Sequence, residues 1–189
     1  MDAITLLKSD HKAVEQLFKR YQKLGDNATK SKSKVVQQII EELAVHAAIE
    51  EQFFYPVVRA EVPAEEDLVL EGLEEHHIVK WTLSELQRMK PRDERFDAKV
   101  NVLIESVRHH VKEEETSLFP GVRKALGRKE LMELGERMSK AKKTAPTRAH
   151  PKAPDTPPGN LVAGAASGML DKARAVGKQT IDRAREAVD

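Results

Sequence analysis

Four long segments of the sequence carry apolar residues at helical spacing, and only a few residues separate each segment from the next. Apolar residues that recur every three or four positions are typical of a helix with one buried face. Long helices joined by short connections lie antiparallel to their neighbours in the chain. The sequence therefore predicts an all-α fold, an up-down-up-down four-helix bundle, with helices over residues 3–24, 33–58, 64–90 and 93–119.

The chain changes character after the fourth predicted helix. A weaker amphipathic piece at residues 130–143 predicts a short extra helix, and residues 144–160 are rich in proline, which cannot continue a helix. Residues 161–189 carry only a thin stripe of small apolar residues, too little apolar area to offset the entropy of ordering. We therefore divide the chain into a bundle domain over residues 1–143, an extended linker and a tail that is disordered or a marginal helix. The alternatives for the tail are a helix that binds a partner or itself, and a helix that lies on a membrane surface.

The composition excludes several kinds of site and partner. There are no cysteines, which excludes disulfides, iron–sulfur clusters, thiolate zinc sites and cysteine nucleophiles, so any metal must be held by nitrogen and oxygen. The net charge of +1 gives no electrostatic reason to expect a nucleic acid as partner. The amino terminus lacks the pattern of a secretion signal, and no stretch approaches the roughly 18 apolar residues of a membrane span. We therefore expect a cytoplasmic protein without stable membrane insertion.

One pattern occurs twice, on the second and the fourth predicted helices. It reads HAAIEEQFFYP from His46 and HVKEEETSLFP from His110. In a helix, a histidine and a glutamate four residues later lie on one face about one turn apart. The pairs are His46 with Glu50 and His110 with Glu114. That spacing lets both side chains of each pair reach one metal centre.

The other two helices supply His11, in SDHKAVEQLF, and the doublet His76-His77, in LEEHHIVKW. Antiparallel neighbours meet at equal distance from their shared loop, so residue counts along the helices test whether these side chains converge. His11 and His46 each lie about 13 residues, or roughly 20 Å, from the first loop. The counts across the other two loops also agree to within about one turn. We prefer His76 to His77 because His76 shares a face with apolar residues, and the register of the repeat selects His110 over its neighbour.

Glu50 and Glu114 are in phase with the apolar stripes, whereas Glu51, Glu113 and Glu115 are expected to be solvated. Burying carboxylates without a cation would cost several kcal/mol, which favours a bound metal over simple packing. Four imidazoles and two carboxylates suit a pair of first-row metals, with the carboxylates bridging. Iron is preferred, and manganese and zinc stay open.

These residues resemble the hemerythrin-like, or HHE, cation-binding domains. The resemblance covers about residues 3–127 and rests on DHKAVEQLF, on the two HxxxEE repeats that end in YP and FP, and on EHH in the third helix. It implies a non-haem di-iron centre with the two glutamates bridging. The implied ligands are His11, His46, Glu50, His76, His110 and Glu114.

The chain departs from the oxygen-carrying members of that family on the third helix. Those members have an HxxxH pair there, whereas the positions four residues from His76 are Gly72 and Lys80. One iron would therefore lack an imidazole and take water, another side chain or an exogenous ligand. Reversible oxygen storage becomes less favoured, and an open, reactive site more so.

Three functions are compatible with the predicted metal site. The first is reaction of the two iron ions with a small oxidant, such as hydrogen peroxide, dioxygen or nitric oxide, in oxidative stress or iron homeostasis. If it is an enzyme, the expected activity is the decomposition of peroxide in the manner of a catalase or peroxidase. The second is an iron or oxygen sensor or store without turnover, which reports through the tail. The third is a structural, stress-related helical protein whose tail interacts with a partner.

Overall fold

The fold is a bundle of helices, seen in a computed structural model that describes the backbone of residues 1–186 and the side-chain surroundings of residues 1–174. Four helical rods run the length of the bundle, and two of the rods change helix type part of the way along. A short 3₁₀ turn, Pro63–Glu65, comes before α4. The α-helices are α1 Ala3–Gln22, α2 Thr29–Ile49, α3 Tyr55–Glu61, α4 Glu66–Leu86, α5 Phe96–Glu113, α6 Phe119–Ala125, α7 Arg128–Lys142 and α8 Gly159–Glu186.

The second and fourth rods each contain one π-helical segment where a continuous α-helix was predicted. Glu50–Phe54 joins α2 to α3, and Glu114–Leu118 joins α5 to α6. In each segment a backbone N–H bonds five residues back, to the carbonyl of the repeat glutamate that starts the segment. In both rods the second residue after the segment is a proline, which has no N–H to offer the helix. The wider π turn carries the chain past that gap, and the fourth rod continues to Ala125, beyond the predicted end.

Contacts between α1 and the fourth rod show that the two run antiparallel. Arg108 bonds to Glu15, with the guanidinium Nε 2.9 Å from the carboxylate, and Glu115 bonds to His11. The higher residue number in the fourth rod thus faces the lower residue number in α1, as expected for antiparallel helices. The predicted all-α, up-down-up-down bundle is confirmed. No helix in the described part of the chain is long and apolar enough to cross a membrane.

Two apolar clusters fill the bundle, one towards each end, and a polar layer separates them. The first is built around Leu7, Phe54, Val58 and Phe119, and the second around Phe18, Ile39, Leu83, Phe96 and Leu103. Aliphatic and aromatic side chains make up both clusters, so the hydrophobic effect holds the layer between two dry cores. The layer contains the predicted candidate ligands.

The segment after the bundle packs back onto it. α7 contacts α1, and α8 contacts the π-helical segment Glu50–Phe54. The Asn160 side chain is buried and donates from Nδ2 to the backbone carbonyl of Glu51, 2.9 Å away. The division into domain, linker and tail stays a prediction, although these contacts mean that the linker does not extend away from the bundle. Val176 and Ala184, the last positions of the predicted tail stripe, lie outside the residues whose side chains are described.

Candidate metal centre

All six predicted side chains lie in the polar layer, at most 6% exposed. α1, α2, α4 and α5 each contribute one histidine, and the two glutamates begin the π-helical segments. The structure brings together His11, His46, Glu50, His76, His110 and Glu114. The six side chains therefore lie at one level of the bundle, as the residue counts from the loops predict.

The donor atoms form two groups that share Glu50. One group contains His11, His46, Glu50 and Glu114, the other Glu50, His76 and His110, and the donors of each group lie within 4.8 Å of one another. Oε2 of Glu50 is 3.0 Å from Nε2 of His46 and 3.4 Å from Nε2 of His76. Oε2 of Glu114 is 3.2 Å from Nε2 of His11 and 3.6 Å from Nε2 of His110. Each carboxylate thus lies between one histidine of the first half of the bundle, His46 or His11, and one of the second half, His76 or His110.

Several of these inward-facing atoms have no hydrogen-bond partner among the described residues. They include both oxygens of Glu50, Oε2 of Glu114, and Nε2 of His11 and of His46. Buried polar atoms are nearly always satisfied in folded proteins, and a buried carboxylate without a partner is costly. Nitrogen and oxygen donors that converge without hydrogen bonds fit bound metal cations.

Each histidine has a carboxylate on its outer nitrogen. Nδ1 lies 2.9 Å from Glu115 in His11, 3.1 Å from Glu51 in His76 and 2.6 Å from Glu75 in His110. Nδ1 of His46 lies 3.8 Å from Asp10. Histidines that bind metals usually donate their second N–H to a carboxylate, which fixes the tautomer and the ring orientation. The hydrogen bonds of His11, His76 and His110 therefore turn the inner nitrogens of these three rings towards the layer.

These outer carboxylates correct one expectation from the sequence. Glu51 is 5% exposed rather than solvated, and Glu115 bonds to His11. A signal for them was available, because Asp10-His11 on α1 corresponds to Glu75-His76 on α4, and the second Glu of each EE pair follows the candidate ligand directly. The site is thus an internal repeat of two similar halves.

Two lysines balance part of the charge of this outer shell. Nζ of Lys80 lies 2.8 Å from Glu51, and Nζ of Lys142 lies 2.6 Å from Asp10. Lys80 occupies one of the two positions where an HxxxH motif would place a second histidine on α4. Its amine faces the outer carboxylate, so it acts on the layer through Glu51.

Tyr55 is a buried polar residue of the layer that the sequence reasoning missed. Its hydroxyl donates to Oε1 of Glu114, 3.0 Å away. The other candidate position of the missing histidine is Gly72, where a Cβ would lie 3.0 Å from the Tyr55 oxygen. The glycine therefore leaves room for the phenol. In the other half of the repeat the matching residue is Phe119, whose ring stacks on His11 with centroids 5.8 Å apart, so the two halves differ chemically.

The other histidine of each doublet, His77 and His109, lies away from the layer. Nε2 of His77 is 3.1 Å from the indole Nε1 of Trp81, and its side chain is exposed. The His109 side chain is 62% exposed, with Nε2 3.6 Å from Glu113. These positions agree with the helical register assumed for both doublets.

Burial and charge act in opposite directions on the pKa values of the layer. Burial alone would lower the pKa of His46 and of His76, but the Glu50 carboxylate, together with Asp10 beside His46 and Glu51 beside His76, raises them to about 10 and about 9. Burial would likewise raise the pKa of Glu50, but the two imidazoles hold it well below its usual range. In the absence of metal, these pKa shifts favour the charged forms of His46, His76 and Glu50 at neutral pH.

Metal uptake by the metal-free protein should accordingly release protons. A cation that binds Nε2 of His46 and His76 must replace the protons held there at neutral pH, so the apparent affinity should rise as the pH rises towards 9. Titration calorimetry in buffers of different ionisation enthalpy measures the number of protons released. A binding heat that is independent of the buffer would contradict the assignment of these two nitrogens.

A small cavity adjoins the histidines on the side of the second apolar cluster. Its volume is about 20 Å³, enough for a water-sized molecule. The imidazoles and apolar side chains such as Val14, Leu43, Val79 and Val107 line it. The space beside the imidazoles is therefore small and largely apolar.

Comparison with known proteins assigns the chain to a family. Residues 2–122 match the sequence family described as the hemerythrin HHE cation binding domain. A hemerythrin-like protein of unknown function from Schizosaccharomyces pombe is 30% identical over 166 residues, which is 87% of this chain and 81% of the relative. A DNA nickase from a Nostoc species is 30% identical over 126 residues, but the match covers only 35% of that protein and 67% of this chain.

A solved structure agrees in fold. The hemerythrin HHE cation binding domain-containing protein from Mycobacterium kansasii superposes with a TM-score of 0.65 at 24% identity, over 76% of this chain and 86% of that one. This likeness concerns the helical bundle. The family match and the yeast relative establish that this chain belongs to the hemerythrin HHE cation-binding domain family.

Proposed function

We propose that the protein holds two non-haem iron ions in the polar layer and reacts there with a small oxidant such as hydrogen peroxide, dioxygen or nitric oxide. One observation carries the proposal: buried imidazole and carboxylate donors converge in two groups that share Glu50, and several have no hydrogen-bond partner among the residues whose side chains are described. His11 and His46 would hold one iron, and His76 and His110 the other. Glu50 and Glu114 would bridge them.

The donor set fits a pair of first-row metals, and family membership favours iron among them. Imidazole with carboxylate suits iron, manganese and zinc, whereas a structural zinc site usually closes with four ligands around one ion. The layer offers six donors in two groups, with no cysteine in the chain. Iron is also the metal that members of this family typically bind, which supports the same choice.

The iron pair would supply electrons and Lewis acidity, and the residues of this chain would set the conditions. Glu51, Glu75 and Glu115 orient three imidazoles and make them better donors. Tyr55 holds Glu114 by donating to its Oε1. The two apolar clusters exclude bulk water from the layer, which strengthens electrostatic interactions within it.

A sensor or storage role is the second candidate function, and one contact supports it. Asn160, at the start of α8, donates to the backbone of Glu51, whose side chain bonds to His76. A change at the metal centre therefore has a short physical path to the carboxyl-terminal helix. Such a role would need no turnover.

The test is the metal content of the protein from iron-supplemented cells, together with its visible spectrum before and after addition of hydrogen peroxide. We expect about two irons per chain, a visible absorption band that changes with peroxide, and release of oxygen. Two irons with an inert band would favour the sensor or storage role. Absence of bound metal would contradict both.

A further inference from the structure

The internal repeat places two equivalent seams between helices beside the layer. One lies between α1 and α5, the other between α4 and α2. Val111 in the first seam corresponds to Ala47 in the second, since each follows a repeat histidine by one position. A repeat of two similar halves would open equally on both sides, so any difference between the seams must come from the rest of the chain.

The seam between α2 and α4 is covered by the carboxyl-terminal segment. Ala149, Pro154 and Asn160 lie with Ala47 and Lys80 around a cavity of only about 40 Å³. Gln52 donates to the backbone carbonyl of Asn160, 3.3 Å away, in addition to the bond from Asn160 to Glu51.

Asp171 on α8 fixes the covering segment in place. It is 2% exposed and accepts hydrogen bonds from the backbone N–H groups of Thr147 and Arg148, each 3.1 Å away. Nε2 of His150 lies 3.1 Å from the same carboxylate. The residues 147–150 are thus held to α8, and this seam is closed by packing and by specific hydrogen bonds.

The seam between α1 and α5 has no such cover in the described part of the chain. A surface groove of about 540 Å³ follows it. The groove and the small cavity beside the histidines share His11, Val14, Val107 and Val111 as walls. Val14 and Val107 are buried, whereas Val111 is half-buried, so Val111 is the apolar side chain between solvent and the cavity that can move at the lowest cost.

We propose that small ligands reach the metal centre through the seam between α1 and α5, that Val111 is the gate, and that the carboxyl-terminal segment closes the equivalent seam on the other side. This inference rests on the proposed function, because it takes the polar layer to hold iron. It gives residues outside the ligand set a role in ligand access. It also means that ligands enter the site from one side of the bundle only.

The charge of the groove indicates which ligands this path favours. Its walls carry four basic side chains, Lys8, Lys12, Arg108 and Lys112, against the two carboxylates Glu15 and Glu115. A groove with an excess of positive charge raises the local concentration of small anions and speeds their association at low ionic strength. Binding of azide, a three-atom anion, should therefore slow as salt is added.

The experiment measures azide binding to the iron-loaded, full-length protein by stopped-flow absorbance. Val111→Trp should slow association about tenfold or more and slow dissociation by a similar factor, because a gate changes rates and leaves Kd unchanged. Val102→Trp, at a 59% exposed position on the same helix, is the matched control and should behave as wild type. If Val111→Trp does not fold, Val111→Ala should speed association.

The second arm tests the closed seam. Asn160→Ala removes the bonds to Glu51 and Asp155 and should partly restore fast association when combined with Val111→Trp. Equal rates for Val111→Trp and Val102→Trp would overturn the proposal. A Kd of Val111→Trp that changes by the same factor as its association rate would also overturn it. Wild-type protein with iron that azide never reaches would also overturn it, whereas protein without iron contradicts the proposed function first.

Discussion

His110→Ala should reduce bound iron to well below the wild-type content and lower the Tm of the iron-loaded protein by about 10 °C. The expected shift follows because a bound metal contributes several kcal/mol, and each kcal/mol changes the Tm of a chain of this size by roughly 2–4 °C. The imidazole faces both Glu114 and Nε2 of His76, 3.2 Å away. Its loss leaves the carboxylates buried with one donor fewer.

The neighbouring histidine provides the matched control. His109→Ala changes the same residue type one position earlier on α5, at a side chain that is 62% exposed. It should retain wild-type iron and Tm, as measured by elemental analysis and calorimetry. Loss of iron in His109→Ala with retention in His110→Ala would show that the helical register is wrong by one residue.

The convergence of the six candidate ligands was predictable because it depends on few physical quantities. The rise per residue of a helix and the shortness of the connections fix the level of every side chain along the bundle. The pairing of His46 with Glu50, and of His110 with Glu114, follows from the same helical geometry. Neither depends on details of side-chain packing, so the sequence determines both well.

The supporting residues were not predictable to the same degree. Glu51 is one of many glutamates in a charge-rich chain, and its burial depends on Lys80 of another helix reaching it. Tyr55 belongs to the layer because the π turn after Glu50 rotates the following residues about the rod, and because Gly72 leaves space. Such effects depend on the contact between two helices rather than on the pattern within one.

The contacts of the carboxyl-terminal segment were also not predictable from the sequence pattern. Its apolar content is low, and composition indicated an extended linker with a disordered or marginal tail. In the structure, buried polar side chains contribute to the contacts alongside apolar ones, with Asn160 and Asp171 buried and bonded to backbone groups. Side chain to backbone bonds of this kind leave no periodic signal in a sequence, because they depend on where the chain returns to the bundle.

Glu50→Gln should affect both metal positions at once, since Glu50 belongs to both donor groups. We expect iron to fall below about one ion per chain, because the glutamine amide carries no negative charge with which to bridge two cations beside Nε2 of His46 and His76. Elemental analysis measures this loss. Glu105→Gln, at an exposed position on α5, is the control and should retain wild-type iron.

The metal-free form of the same variant separates a charge effect from a packing effect. Glu50 is fully buried between two histidines whose folded-state pKa values are raised above 6.5, to about 10 and about 9. A raised pKa stabilises the fold below the unfolded value, and the stabilisation is lost as the pH rises through the folded value. Glu50→Gln should therefore reduce the free energy of unfolding by about 3 kcal/mol at pH 7, and the difference from wild type should narrow as the pH rises from 9 to 10. Denaturant unfolding at several pH values measures it, and a difference that stays constant with pH would mean that Glu50 contributes through packing rather than through its charge.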